Sequence, residues 1–142
     1  MKITICGSIK FAKNLVEIYH QVEKLGHQPE MHEQMFGLAD GTADQLKHVA
    51  KGVETSEIKT KYNFIKWWYN SIINSDAILV CNFDKGGIKN YIGGNVLMEI
   101  GFAYVNDKKI FLLNPIPDEV SYADEIKAMA GLVLNGDLKG IK

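Results

Sequence analysis

The pattern of apolar and polar positions along the chain predicts short buried strands separated by helices. Residues 2–6 form an apolar run that ends at a Gly-Ser pair, and the run at 77–83 is the clearest buried strand in the sequence. Two further apolar runs, at 109–114 and 131–136, also have the length of strands. The pattern therefore predicts four strands that are apolar on both faces.

Between these strands, apolar residues recur at the three- and four-residue spacing of helices. In the first predicted helix, which ends at Gly26, they are Phe11, Leu15, Ile18, Val22 and Leu25. In the second they are Ile65, Trp68, Tyr69, Ile72 and Ile73. A third helix is predicted from about Val96 to Val105. A fourth begins at Ser121, with Asp124 and Glu125 in its first turn as a capping signal.

Strands that alternate with helices and are apolar on both faces predict an α/β fold, a parallel sheet with helices on both faces. In such sheets, ligands bind beyond the carboxyl ends of the strands. The segments CGS, NFDKGG and NPIP each follow a predicted strand and should converge at that edge. This placement brings Gly7, Ser8, Asn82 and Asp84 close to the loop before Glu99, and it predicts a small-molecule cleft there.

Residues 28–58 mix polar and apolar positions with glycines and show no clear period. We interpret them as a loop with one helical piece around 43–51. A long loop of this kind is a candidate for the lid that sets specificity.

Composition narrows the classes of function. The chain has 142 residues, enough to bury a core, and we predict one domain over residues 1–142. It is 46% hydrophobic and 23% charged with a net charge of -1 and no basic stripe, so we expect no nucleic acid polymer as a partner. No signal peptide or membrane-spanning run is recognisable, so we expect a cytoplasmic location and no membrane partner.

Cys6 and Cys81 lie in apolar strand-like runs, with no second cysteine or histidine at ligand spacing near either. We interpret them as buried, reduced thiols of a cytoplasmic protein. The four histidines are also scattered without ligand spacing. We therefore expect neither a metal nor another cofactor.

The stretch GGNVLMEIGFA, at 93–103, carries the strongest chemical signal. Gly93 and Gly94 allow the backbone to pass close to a ligand, and Asn95 follows them. Glu99 is expected in the first turn of the next helix, where the helix dipole by itself explains many carboxylates. Its apolar neighbours, however, make a charge there costly unless the site uses it.

Gly7 and Ser8 allow two interpretations. Their backbone N–H groups could bind a phosphate or a hydroxyl at the start of the first helix. The alternative is a tight turn in which Ser8 is only the N-cap.

Two parts of the chain resemble one family. ITICGSIKF resembles the opening of the 2'-deoxynucleoside 5'-phosphate N-hydrolases, and SDAILVCNFD…GGNVLMEIGFAYVNDKKIFLL resembles the core of the nucleoside 2-deoxyribosyltransferase superfamily. The likeness implies a flavodoxin-like or Rossmann-like fold, a homodimer or higher homo-oligomer, and cleavage of the N-glycosidic bond of a deoxynucleoside or its monophosphate. In that family the glutamate of E-[IL]-G-x-A is the nucleophile at the anomeric carbon, and Glu99 stands at this position.

Three positions depart from the family pattern. Trp68 stands where the family has a second carboxylate, Gly93 where it has Asp or Ser, and Thr4 where the hydrolases have Tyr. The resemblance therefore identifies neither a proton donor nor a polar contact to the ligand. The candidates to replace them are Asp84, Tyr69 and Asn95.

Two classes of function are compatible with these features. The first is an N-glycosidase or deoxyribosyltransferase for a nucleoside or its 5'-monophosphate, with Glu99 as nucleophile. Gly7, Ser8, Gly94 and Asn95 would hold the sugar or phosphate. The second is a nucleotide-binding sensor of the same fold without the chemistry, which the loss of the second carboxylate favours.

Overall fold

A parallel sheet of five strands in the order β2-β1-β3-β4-β5 forms the centre of the molecule. This computed structural model describes residues 1–43, 56–61 and 63–142. The strand order is that of flavodoxin-like folds, so the predicted α/β class is confirmed. The strands are β1 (Lys2–Cys6), β2 (Gln28–Glu30), β3 (Ala77–Val80), β4 (Lys109–Leu112) and β5 (Leu132–Val133).

Helices follow the strands along the chain, as the apolar spacing predicts. No helix among the described residues is long and apolar enough to cross a membrane. Short 3₁₀ helices cover Ile9–Phe11 and Leu138–Gly140. The α-helices in the described ranges are α1 (Ala12–Lys24), α2 (Gln34–Asp40), α3 (Ser56–Lys61), α4 (Phe64–Ile73), α5 (Gly94–Val105) and α6 (Ala123–Met129).

Both faces of the sheet are covered. Successive side chains of a strand point to opposite faces. On one face, Thr4 Oγ1 lies 2.8 Å from Ser71 Oγ and 2.9 Å from Ser75 Oγ, so α4 and the turn after it pack there. The alternate residues Ile3 and Ile5 are also fully buried, which requires cover on the other face.

The interpretation of residues 28–43 and 56–58 as a loop is wrong, because these ranges contain β2, α2 and the first residues of α3. β2 pairs with β1 over three residues, and α2 ends at Asp40 and is followed by Gly41, which has a φ of 82°. A strand of three residues that includes Pro29 shows no period, so only its pairing with β1 reveals it. Apart from residue 43, the predicted helix around 43–51 lies outside the described residues.

Three predicted strands are shorter in the structure. The run at 77–83 ends as a strand at Val80, the run at 109–114 ends at Leu112, and only Leu132–Val133 of 131–136 is a strand. The apolar run continues beyond the ladder because the residues that follow remain buried, including Cys81 and Leu113.

Gly131 is expected to tolerate no side chain. A Cβ atom at this position would collide with the carbonyl oxygen of Ile110 in β4. Gly131→Ala should therefore lower the free energy of unfolding by about 1–3 kcal/mol or more, measured by urea denaturation. Gly101, in the interior of α5, faces open space, and Gly101→Ala should raise it by about 0.5–1 kcal/mol. Equal stability of the two variants would contradict the close approach of Gly131 to β4.

Candidate functional site

A cleft opens at the carboxyl ends of β1 and β3, where the strand order reverses direction. Its walls come from the segment after β1, the loop after β3, the first turns of α5, and helices α3 and α4. The lining residues are Gly7, Ser8, Ile9, Lys59, Phe64, Ile65, Trp68, Lys85, Tyr91, Gly93, Gly94, Asn95, Val96, Met98, Glu99 and Phe102. Six of the eight residues predicted from sequence therefore lie in one cleft.

Glu99 is a buried carboxylate at this cleft, with 8% of its surface exposed. It lies in the second turn of α5 and not in the first turn, because the helix begins at Gly94, two residues earlier than predicted. The helix dipole acts mainly within the first turn, so it explains the position of Glu99 less well than the sequence suggested. Glu99 instead lies on the buried side of α5, together with Val96, Ile100 and Ala103.

The Cys6 thiol, at the end of β1, donates to the Thr4 carbonyl oxygen at 3.9 Å and lies close enough to the Glu99 carboxylate to interact with its charge. Burial and the negative charge of Glu99 raise the pKa of Cys6 well above its ordinary value. Burial also raises the pKa of Cys81. Both cysteines are free and buried, so the Cys6 thiol stays neutral beside Glu99.

The raised cysteine pKa values predict a loss of stability at alkaline pH. Above the ordinary thiol pKa of 9.0, the unfolded chain loses protons that the folded chain retains, so the free energy of unfolding falls. Each buried thiol contributes a slope of up to about 1.4 kcal/mol per pH unit. Urea denaturation between about pH 8.5 and 10 should show a shallower decline for Cys81→Ala than for the parent protein. An unchanged slope would show that Cys81 ionises equally in both states.

Gly93 and Gly94 form the entrance to α5 beside the cleft. Gly93 precedes the helix in an extended conformation, and its carbonyl oxygen accepts the N–H of Leu97 at 2.9 Å. A Cβ atom on Gly93 would lie 3.1 Å from the Tyr91 ring, whereas one on Gly94 would meet nothing within 4 Å. Gly93 therefore allows close packing of Tyr91, and Gly94 leaves space for a ligand.

Ser8 and Lys85 join two walls of the cleft. Ser8 is the N-cap residue of the 3₁₀ helix, and its carbonyl oxygen accepts the Phe11 N–H at 2.9 Å, but its hydroxyl makes no capping hydrogen bond. Its Oγ instead accepts a hydrogen bond from Lys85 Nζ at 3.2 Å. On another wall, Lys59 Nζ donates to Asn95 Oδ1, also at 3.2 Å. Neither lysine is predicted from the sequence, because their contacts join segments far apart in the chain.

Asn82 and Asp84 do not line the cleft. Asn82 is 1% exposed and its amide donates to the carbonyl oxygens of Asn114 and Pro115, at 3.0 and 2.9 Å. Asp84 accepts the backbone N–H of Asn90 at 2.9 Å. Both side chains therefore hold loops at the edge of the sheet. Their placement does not favour a direct contact with substrate.

Trp68 forms part of the cleft wall and of the core. It is 4% exposed, and its Nε1–H donates to the Ile5 carbonyl oxygen at 3.2 Å. The His32 ring stacks on it at 5.7 Å with an interplanar angle of 12°. Because β1 holds the indole N–H, this residue presents carbon atoms to the cleft. Of the three candidates to replace the proton donor and the polar contact, Asn95 lines the cleft, as a polar contact, and Asp84 and Tyr69 do not line it.

No group of three or more His, Cys, Asp or Glu side chains that could hold a metal occurs in the described part of the chain. The cleft instead combines one carboxylate, two ammonium groups, short polar side chains and aromatic rings. Clefts of this composition, at the switch point of a parallel sheet, suit small ligands with apolar and charged parts.

The fold and the position of the cleft define a flavodoxin-like α/β protein with a site at the edge of β1 and β3. A solved structure with a similar fold is that of the CMP N-glycosidase BcmB from Clostridium botulinum. The two chains are 13% identical, with a TM-score of 0.52 over 95% of this chain and 89% of the other. At this identity the likeness shows the fold. No family model matches the sequence, and no curated protein matches it.

Proposed function

We propose that the protein cleaves or transfers the N-glycosidic bond of a nucleoside or nucleoside 5'-monophosphate, with Glu99 as the nucleophile. The observation that carries the proposal is the position of Glu99, a buried carboxylate at a cleft beside the open backbone of Gly94. Burial of a carboxylate costs free energy. A role as the nucleophile at a sugar carbon would account for a buried carboxylate at this position.

The chemistry follows from the cleft. A Glu99 oxygen attacks the anomeric carbon as the carbon–nitrogen bond breaks, and the base departs with the bonding electrons and takes up a proton. The glycosyl ester that remains on Glu99 is then opened by water or by a second base. Aromatic side chains at the cleft, among them Phe64 and Tyr91, offer faces and edges on which a base can pack.

The similarity in fold to a CMP N-glycosidase supports this reaction class, since that protein by its name acts on a nucleotide at an N-glycosidic bond. A nucleotide-binding sensor is the second candidate. It is favoured by Trp68, which occupies the position of the second carboxylate in the family that the sequence resembles and presents no acidic group.

A chromatographic screen for free base separates the two candidates. The purified protein is incubated with each deoxy- and ribonucleoside and its 5'-monophosphate, with and without a second base. Base release from at least one substrate is the expected result, and exchange of bases would identify a transferase. Nucleotide binding without release from any substrate would contradict the enzyme and leave the sensor.

We also expect two copies of the chain to pair through the outer faces of α4 and α5. These helices expose Tyr69 and Val105, together with Ile65 and Met98 at the rim of the cleft, at 40–74%, and apart from Glu99 their one charged residue is Lys66. Interface cores are depleted of charge in this way. Sedimentation velocity should show a dimer for the parent and for Leu132→Lys, which lies at the edge strand β5, and a monomer for Tyr69→Lys. A parent protein that stays monomeric at all concentrations would refute the pairing.

A further inference from the structure

A second groove lies between α4 and the edge strand β2, on a different side of α4 from the cleft. Its volume is about 320 Å³, within the range of about 300–1,000 Å³ that is usual for sites of small ligands. The lining residues are Lys2, Glu30, Asn63, Trp67, Asn70, Ser71 and Asn74. The groove and the cleft therefore share α4 as a wall but have no lining residue in common.

Three amide side chains and one indole lie along the groove side of α4. Asn63 and Asn74 flank this helix, and Trp67 and Asn70 belong to it. These four residues follow one another at intervals of four, three and four residues, a spacing that places them on one side of a helix. The groove is open because α4 packs over β1 and leaves the edge strand beside it partly uncovered.

The charges of the groove compensate each other. Its described lining has one cationic and one anionic side chain, and Lys2 Nζ lies 2.9 Å from Glu30 Oε1. The other carboxylate oxygen of Glu30 accepts a hydrogen bond from Ser71 Oγ at 3.4 Å. Because no excess of either sign remains, the groove complements a neutral ligand better than an ion.

The polar groups that remain are suited to a planar base. Within the described part of the chain, the side chains of Asn63, Trp67 and Asn70 make no hydrogen bond. A carboxamide offers a donor beside an acceptor, the pattern that pairs with an amino group beside a ring nitrogen, as asparagine does with adenine. Aromatic side chains add a surface on which a base can stack.

The indole of Trp67 is held in place before any ligand arrives. It is half-buried, and its ring lies 4.9 Å from that of Trp68 and 5.0 Å from that of His32, at interplanar angles of 71° and 68°. Such edge contacts restrict the rotamer of the side chain, so less entropy is lost when a ligand packs against it.

We propose that this groove is a second ligand site, which binds a neutral heteroaromatic base with an amino group beside a ring nitrogen. The ring of the base packs against Trp67, and its edge pairs with the carboxamide of Asn70. No residue of the cleft takes part. The base is therefore bound whether or not the cleft cleaves a nucleoside.

The test is a titration of the nitrogen-15-labelled protein with adenine, followed by NMR. The chain has two tryptophans, so it gives two indole N–H signals, and Trp67→Phe identifies the one that belongs to Trp67. We expect adenine to shift this signal and the side-chain amide signal of Asn70. The amide of Asn14, which is exposed on α1, should not move.

Two variants locate the binding. Asn70→Ala should weaken the binding of adenine by about 10-fold, because it removes both hydrogen bonds to the edge of the base. Asn70 is exposed, so the variant should remain folded. Asn14→Ala, the same change at an exposed position of α1, serves as the control and should keep the parent affinity.

Two further ligands define the chemistry. Ribose should leave the Trp67 signal unchanged. Adenosine is titrated into the Glu99→Gln protein, so that the cleft does not consume it. Binding tighter than that of adenine would identify a nucleoside as the ligand, weaker binding would identify the free base, and either order supports the site. A Trp67 signal that does not respond to adenine, an equal response to ribose, or an affinity unchanged by Asn70→Ala would overturn the proposal.

Discussion

Glu99→Gln is expected to reduce base release by a factor of about 10³ or more while leaving the fold intact. Glutamine has the shape of glutamate, so the apolar side of α5 around Val96 and Ile100 stays filled. An amide oxygen, however, is a much weaker nucleophile toward an oxocarbenium-like carbon and does not stabilise its positive charge. The loss should appear mainly in kcat, because an interaction made only in the transition state is removed.

The matched control is Glu125→Gln, which makes the same chemical change at an exposed position of α6. This variant should keep the parent rate. Circular dichroism and thermal unfolding would establish that both variants are folded. A Glu99→Gln protein with parent activity would show that another group attacks the sugar.

Trp68→Ala is expected to lower the free energy of unfolding by about 3–5 kcal/mol, the largest effect on stability that we predict. The indole is 4% exposed and packs between His32 and Phe64, so its removal leaves a cavity. It also leaves the Ile5 carbonyl oxygen of the central strand β1 without its side-chain donor.

The neighbouring Trp67 provides the comparison, since it is the same residue type on the same helix but only half-buried. Trp67→Ala should cost clearly less than Trp68→Ala, because it opens a smaller cavity. Urea denaturation followed by circular dichroism measures both without relying on tryptophan fluorescence. Equal losses for the two variants would contradict the assignment of Trp68 to the core.

The sequence predicts the elements whose buried residues form an apolar run or recur at helical spacing. β1, β3 and β4 are apolar runs in a sheet that is covered on both faces, and α1 carries its buried residues at helical spacing. The strand that the sequence does not predict is β2, which is short and lies at the edge of the sheet. It has three residues and includes Pro29. Such a strand is specified by pairing with β1, and its own residues carry little information about it.

The site was predictable to a similar extent. Segments that follow parallel strands do meet at one edge, which places Gly7, Ser8 and Glu99 together. Chain position does not, however, specify the direction of each side chain, and Asn82 points to the Asn114–Pro115 segment after β4 instead of to the cleft. Lys85 is not predicted from the sequence, because its contact with Ser8 depends on the turn at Gly86 and Gly87.

The most direct test of the central claim is mass spectrometry of the protein after incubation with a 2'-fluoro-arabino analogue of its best substrate. Fluorine at C2' of the sugar destabilises the oxocarbenium-like transition states and slows the opening of the glycosyl-enzyme. We predict a mass increase equal to the fluorinated sugar unit, located on the peptide that contains Glu99 and absent from Glu99→Gln. Base release from the natural substrate together with an adduct on any other residue, or with none on Glu99, would contradict the account.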